Sequence, residues 1–356
     1  MLKMMSALLP NGMVDLLPAD AEKEAYAINQ LMQEFASFGY RRVKPPLIEF
    51  EESLLSGPGE GLSRYVFRVM DAVSHKMMGL RADITPQIAR LASSRFGADQ
   101  YPLRLMYAGD VLRVKSSQLR PERQFCQVGC EIVGTDNVQA DVEMVLLPAI
   151  ALDKLGLEGL SIDLTLPAFI RTLFGDDVPS DEFLDALDKK DRGKITELNH
   201  PYSKLITDIM SLNGSAREDL AKLQAMDLPA NVHEDIQRLA QVTGNVLQAL
   251  NDMGLDSKVQ VTIDPLERSV FEYHRGISFT LFQKGARSEL GRGGRYDFEG
   301  ESGANTAFGF TLYMDTIRRM MPALVEEKAE QVDAGTSWKD ILKLRQNNKH
   351  VIRTLK

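Results

Sequence analysis

Apolar and polar positions along residues 20–40, DAEKEAYAINQLMQEFASFGY, repeat at helical spacing, with Ala25, Ile28, Leu31, Met32 and Phe35 on one face. Asp20 is the expected N-cap, Glu22 and Glu24 fall in the first turn, and Gly39 supplies the stop. YRRVKPPLIEFEESLL then reads as a short strand, a Pro-Pro break at 45–46 and an extended piece, and residues 64–81 alternate as a hairpin. In LRADITPQIARLASSRFG, Thr85 is the expected N-cap, Pro86 the first helical residue and Gly97 the end. YPLRLMYAGDVLRVK and RQFCQVGCEIVG form two strands around the loop SSQLRPE, and helix returns over 138–156. From about Ala168 to Leu255 the pattern is almost all amphipathic helix. Strands resume at VQVTID, FEYHRGISFTLF and GRGGRYD, and a last helix is predicted near Thr311. This order predicts an α+β fold: an antiparallel sheet flanked by helices, with a helical insertion. Residues 1–167 and 256–325 make one discontinuous core domain, 168–255 the insertion and 326–356 a tail.

The strand RQFCQVGCEIVG has an unusual inner face. Counting by twos, Cys126, Val128, Cys130 and Ile132 point one way, and Arg123, Phe125, Gln127, Gly129, Glu131 and Val133 the other. On the preceding strand Leu105, Tyr107, Gly109, Val111, Arg113 and Lys115 share a face. Pairing around SSQLRPE sets Arg113 and Arg123 beside the loop, with Gln127 and Glu131 deeper. Arginines suit a phosphate or carboxylate through their two-pronged donor, and Glu131 with Gln127 suits an amine and a polar side chain. Taken alone, the face reads at least as well as an internal Arg–Glu ion pair. GRGGRYD is a poor nucleotide loop: it lacks the Lys-Ser/Thr ending and no amphipathic helix opens behind it, so turn chemistry is its default.

Composition narrows the class. The chain has 356 residues, 44% hydrophobic and 26% charged, and a net charge of −8, which argues against a dedicated nucleic-acid binder. No apolar run approaches the ~20 residues of a membrane span, and the N-terminus is too interrupted for a secretory signal. The two cysteines lie on one strand roughly 13 Å apart, beyond disulfide reach, and are expected to be small buried side chains in a reducing cytoplasm. No metal or cofactor is expected. The segment WKDILKLRQNNKHVIRTLK, six basic residues against one Asp, reads as a solvated terminal helix.

The order LPNGMVDLLP, FGYRRVKPPLIEF, LRADITPQIAR, LRVKSSQLRPERQFCQVGCEIVG, GGRYD and AFGFTL resembles the catalytic core of class II histidyl-tRNA synthetases from about residue 9 to residue 320. The resemblance implies that fold, with Asp83, Thr85, Gln127 and Glu131 forming a histidine pocket. It makes Arg113 the second-motif arginine that holds the ATP α-phosphate, with Arg123 nearby, and sets Pro46 at a dimer interface. Asp83 is shorter than the glutamate usual in the enzymes, so a looser contact to the amino group is expected. The carboxylate two residues after the second-motif arginine is here Lys115. The pattern Arg-Gly-Leu-Asp-Tyr-Tyr-Thr-Gly aligns with residues 269–276, keeping Tyr273 and Gly276 but placing Ser269 where the leading arginine stands. Six residues after Phe310 comes Thr316 instead of the third-motif arginine, and Arg318 lies about 200° around the helix. Losing one such charge donor typically costs ~10²–10³-fold in rate.

Residues 320–356 are also fewer than the ~50 of a small anticodon-reading domain. A synthetase-like core without these groups resembles the regulatory subunit of ATP phosphoribosyltransferase. That resemblance implies no catalysis of its own, a short-form catalytic subunit and a second copy of itself as partners, L-histidine as ligand, and no tRNA or membrane. The alternatives are a histidine-adenylating enzyme acting on another acceptor, and a scaffold whose pocket binds nothing.

Overall fold

A computed structural model describes residues 9–268, 274–298, 306–325, 329–346 and 350–354. The first helix, α1 (Pro18–Ser37), starts two residues ahead of Asp20: Pro18, with its fixed φ, takes the first helical turn, and Leu17 caps it without a side-chain bond. Ala27, Leu31, Met32 and Phe35 are buried, whereas Ala25 is exposed. Gly39 ends the helix with φ +85°, a conformation only glycine adopts freely.

Next come β1 (Arg41–Arg42), β2 (Ile48–Phe50), α2 (Glu51–Leu54), a 3₁₀ stretch over Gly57–Tyr65, and the hairpin β3 (Phe67–Met70) and β4 (Met77–Leu80). In α3 (Thr85–Arg95) the cap differs from the expected one. Asp83 Oδ1 accepts from the Thr85 amide at 3.0 Å, so the aspartate satisfies the helix end and leaves the Thr85 hydroxyl for another partner. β5 (Leu103–Leu112) and β6 (Gln124–Val133) pair antiparallel with Gly109 opposite Gln127 and Leu105 opposite Glu131. After α4 (Val138–Lys154) and β7 (Leu160–Thr165), the helical stretch resolves into α5 (Phe169–Phe174), α6 (Asp181–Asp188), α7 (Arg192–Glu197), α8 (Ser203–Ile209), α9 (Ala216–Gln224) and α10 (His233–Asp252). The chain then forms β8 (Val259–Asp264), β9 (His274–Gln283), β10 (Gly291–Asp297), β11 (Thr306–Tyr313) and α11 (Met314–Met320). GRGGRYD is a strand, as the chain pattern gives it, and its default reading as turn chemistry does not hold. The last helix starts at Met314 rather than near Thr311, because β11 is paired on both sides, with β10 through Leu312 and with β6 through Tyr313.

The main sheet runs β1-β5-β6-β11-β10-β9-β7-β8. It is antiparallel through the middle and parallel at both edges, β1 with β5 and β7 with β8. Cys126, Val128, Cys130 and Ile132 face one apolar cluster with α1, α4 and the insertion helices; Phe125 and Val133 face another with α3. The alternation read from the sequence thus separates two layers. Phe35 meets Phe310 edge-on at 5.4 Å across the first layer. The insertion side chains Phe183, Ile206 and Val242 belong to the same cluster as the sheet. Among the described residues no helix is long and apolar enough to cross a membrane.

Both cysteines are free and buried, and burial pushes the Cys126 thiol up to about 12 and Cys130 well above its usual range. Neither is expected to react with a thiol-specific chromogenic reagent until the chain unfolds; labelling of the native protein within minutes would contradict this packing.

Residues Pro322–Lys356 form a separate compact unit. The basic stretch expected as one solvated helix holds α12 (Trp338–Gln346) and a strand, β13 (Val351–Arg353), which pairs parallel with the preceding β12 (Glu330–Val332); the Arg353 guanidinium lies 4.4 Å from the Trp338 ring. Parallel strands require a crossover, which explains the helix between them.

Candidate ligand site on the central sheet

Gln127 and Glu131 are wholly buried in the middle of β6. Opposite Glu131 on β11 stands Gly309, where a Cβ would fall 1.6 Å from Glu131 Oε2. The missing side chain is what admits the carboxyl. Gly129 has the same purpose for a different neighbour, since a Cβ there would lie 2.5 Å from the Tyr107 hydroxyl. The space above this glycine is taken by the Tyr107 phenol, which reaches Thr311 Oγ1 at 2.8 Å.

The loop before α3 is clipped onto this strand. Gln127 donates from Nε2 to Asp83 Oδ2 at 2.8 Å and accepts at Oε1 from the Ile84 amide at 3.1 Å. Thr85 donates its hydroxyl to Glu131 Oε1 at 3.1 Å, and Tyr296 donates to Oε2 at 3.2 Å. Asp83, Thr85, Gln127 and Glu131 are thus gathered in one buried constellation, as the sequence suggests. Asp83, Thr85 and Glu131 line a cavity with Tyr296, Gly309 and Thr311 of about 20 Å³, room for one water. An amino acid enters only if hydroxyls now on Glu131 swing away.

Burial dominates the chemistry of Glu131, lifting its carboxyl to about 8, with the hydrogen bonds from Thr85 and Tyr296 opposing and the negative Asp83 assisting. Among the described residues no Lys or Arg is salt-bridged to it, so the internal Arg–Glu pair is not formed. A buried acid of this kind suits an incoming ammonium, which would return it to the charged form.

Arg113 lies at the margin. Its Nε donates to the Ala82 carbonyl at 3.1 Å, its guanidinium sits 5.1 Å from the Phe125 ring, and Nη2 is 3.7 Å from Asp83 Oδ2 without a hydrogen bond. Arg123 is not brought to the cavity. It donates to the carbonyls of Arg113 at 3.0 Å and Asn11 at 3.1 Å and covers the Phe67 ring, fastening the LPNGMVDLLP segment to the strand. Tyr273, like Ser269, lies outside the described residues.

The side where a nucleotide's phosphates would be handled is filled with paired charges. Arg120, from the SSQLRPE loop, is buried between the Phe125 and Tyr313 rings. It holds Asp315 Oδ1 at 2.6 Å and the Glu289 carbonyl at 3.2 Å. Arg319 is bonded to Glu122 and, at 3.1 Å, to Asp315; Arg292 lies 3.4 Å from Glu289. Thr316 is buried with its hydroxyl 2.9 Å from that of Ser288. Arg318 points to α1 and pairs with Asp20 at 3.1 Å, consistent with its position on the opposite side of the helix. Sequence reasoning missed Arg120, Tyr107 and Tyr296. The period-two count places Tyr107 on the inner face, and the same count along β10 would have found Tyr296; nothing in one sequence separates Arg120 from Arg123.

The histidyl-tRNA synthetase family model matches residues 12–317. The ATP phosphoribosyltransferase regulatory subunit of Rhodospirillum centenum is 45% identical over 353 residues, covering 98% of this chain and 89% of that protein. That of Paramagnetospirillum magneticum is 47% identical over 334 residues, 93% and 86% of the two chains. The chain belongs to the family of ATP phosphoribosyltransferase regulatory subunits. The synthetase-like fold of this regulatory-subunit family is seen in solved structures as well. An ATP phosphoribosyltransferase regulatory subunit/histidyl-tRNA synthetase from Bacillus halodurans superposes with a TM-score of 0.80 at 22% identity, covering 99% of this chain and 93% of that one. A chain of the ATP phosphoribosyl transferase (HisG:HisZ) complex from Thermotoga maritima does so with 0.63 at 18%, covering 82% and 97%.

Proposed function

We propose that this chain is the non-catalytic regulatory subunit of an ATP phosphoribosyltransferase in histidine biosynthesis, required by a short-form catalytic subunit and carrying histidine feedback through the Glu131 pocket. The observation that carries the reading is the contrast between the two halves of the site. The Asp83 and Glu131 carboxyls and the Thr85 hydroxyl suited to an amino acid line one cavity, with the Gln127 amide bonded to Asp83. The arginines suited to a triphosphate are neutralised by Asp315, Glu289 and Glu122. Histidine's ammonium would meet Glu131 and Asp83, and its imidazole the hydroxyls of Tyr107 and Thr311. Arg113, whose Nη2 has no hydrogen-bond partner, is placed to receive the carboxylate.

The proposal includes a dimer through the synthetase-like core, with Pro46 at its edge, and a cytoplasmic protein that charges no tRNA. Residues 168–255 serve as an insertion in a core made of 1–167 and 256–325, with 326–356 as a tail. The test is phosphoribosyl-ATP formation by a short-form catalytic subunit, measured alone, with this protein, and with histidine added. Stimulation that histidine reverses is expected. A catalytic subunit known to respond to another regulatory subunit but indifferent to this one would overturn the proposal.

A further inference from the structure

A second cavity, of about 240 Å³, is more than ten times the size of the space beside Glu131. It opens where the insertion helices fold over the parallel edge β7–β8. Leu187, Met210 and Leu266 give it apolar walls, while Asp163, Thr262 and Asp264 give it a polar floor. Asp163 and Thr262 are register partners on the two strands, and the Thr262 hydroxyl donates to Asp163 Oδ1 at 2.8 Å. Lys190, the basic residue lining the cavity, is committed to Asp264. Asp163 therefore stands half-buried with no cation bonded to it among the described residues. Burial pushes its carboxyl up to about 6, with the Thr262 hydrogen bond opposing, Asp264 and Glu267 assisting and the Lys190 ammonium opposing more weakly.

The complement of this lining is a positive head on a hydrocarbon body. A hard divalent ion would want six or more oxygens and would find alkyl and thioether groups on the far side. A phosphate-bearing ligand would meet like charge on Asp163 and Asp264. A neutral apolar molecule would cover Asp163 without satisfying it. Met210 adds an unbranched, adaptable wall that can close on bodies of differing shape. We propose that this cavity is a second ligand site, taking a small organic cation whose ammonium rests on Asp163 and whose apolar body packs on Leu187, Met210 and Leu266.

The experiment uses the full-length protein carrying ¹³C-methyl methionine, with benzylammonium chloride as probe and benzyl alcohol as its uncharged counterpart. Met210→Leu assigns the Met210 methyl resonance. Saturable movement of that resonance at millimolar benzylammonium is expected, weakened about tenfold or more in Asp163→Asn and unchanged in Glu131→Gln. No movement, or equal binding to Asp163→Asn, would overturn the site. Benzyl alcohol binding as well as the ammonium would overturn its cation preference, and needs no variant. Loss in Glu131→Gln would move the probe to the pocket on the central sheet and equally sink the proposal.

Discussion

Replacing Asp141 by alanine is expected to cost about 3–5 kcal/mol of folding stability, the usual cost of stranding a buried charge by removing its partner. Asp141 lies in the first turn of α4, is almost fully buried, and binds Arg295 of β10 and, at 2.7 Å, Arg238 of α10. One carboxylate thus ties α10 to the central sheet, and its loss leaves both guanidinium groups with only the exposed Asp136 as an acid among the described residues, at 3.1 and 3.5 Å. The urea midpoint of the variant should fall markedly, with Asp141→Asn intermediate because its one amide oxygen can keep one of the two hydrogen bonds while its NH₂ faces the other guanidinium. A loss below about 1 kcal/mol, the value of an exposed pair, would mean that water reaches this site and that the tie is dispensable.

The second large effect concerns Glu131. In Glu131→Gln, histidine affinity is expected to fall by a factor of about 30 or more, since removing one member of a buried charge pair costs roughly 2–5 kcal/mol. The raised carboxyl adds a signature in protons. With a folded value of about 8 against the ~4.3 of an unfolded glutamate, the native protein holds a proton near neutrality that the unfolded chain has lost. The stabilising contribution is therefore complete below about pH 4.3, declines as pH rises, and is gone above about pH 8. Glu131→Gln should remove that decline, so that the variant gains on the native protein as pH rises from about 4.3 to about 8. Histidine binding near pH 7 should expel the proton, because an ammonium against the carboxyl favours its charged form. Calorimetry in two buffers of different ionisation enthalpy reads this release directly. Binding heats that do not depend on the buffer would show that the ammonium does not meet Glu131.

Much of this site is legible from residue type and period. Strict alternation over β5 and β6 places Gln127 and Glu131 on the inner face, and the structure keeps that parity without a slip. What alternation cannot supply is the partner chosen by a group with several options. Residue type points to Thr85 as the N-cap of α3, yet the helix already begins at Thr85, whose amide donates to Asp83, and its hydroxyl turns to Glu131, a residue 46 positions away. Arg123 and Arg120 are chemically equal candidates three residues apart. Asp315, 195 residues beyond Arg120, decides between them. Helix starts shift for a local reason at Pro18 and for a long-range one at Met314, where sheet pairing overrides the helical pattern near Thr311. In each case local chemistry names the capable residues and tertiary packing selects among them.

The buried contact of Arg120 with Asp315 has a kinetic and competitive side. A triphosphate arriving at this corner would have to displace a carboxylate tethered in the same chain, held at 2.6 Å and shielded by two aromatic rings. Tethering gives such a competitor an effective concentration in the millimolar range or above it, so any free anion has to match that to displace it. An anion arriving at this corner would compete with one the protein already carries.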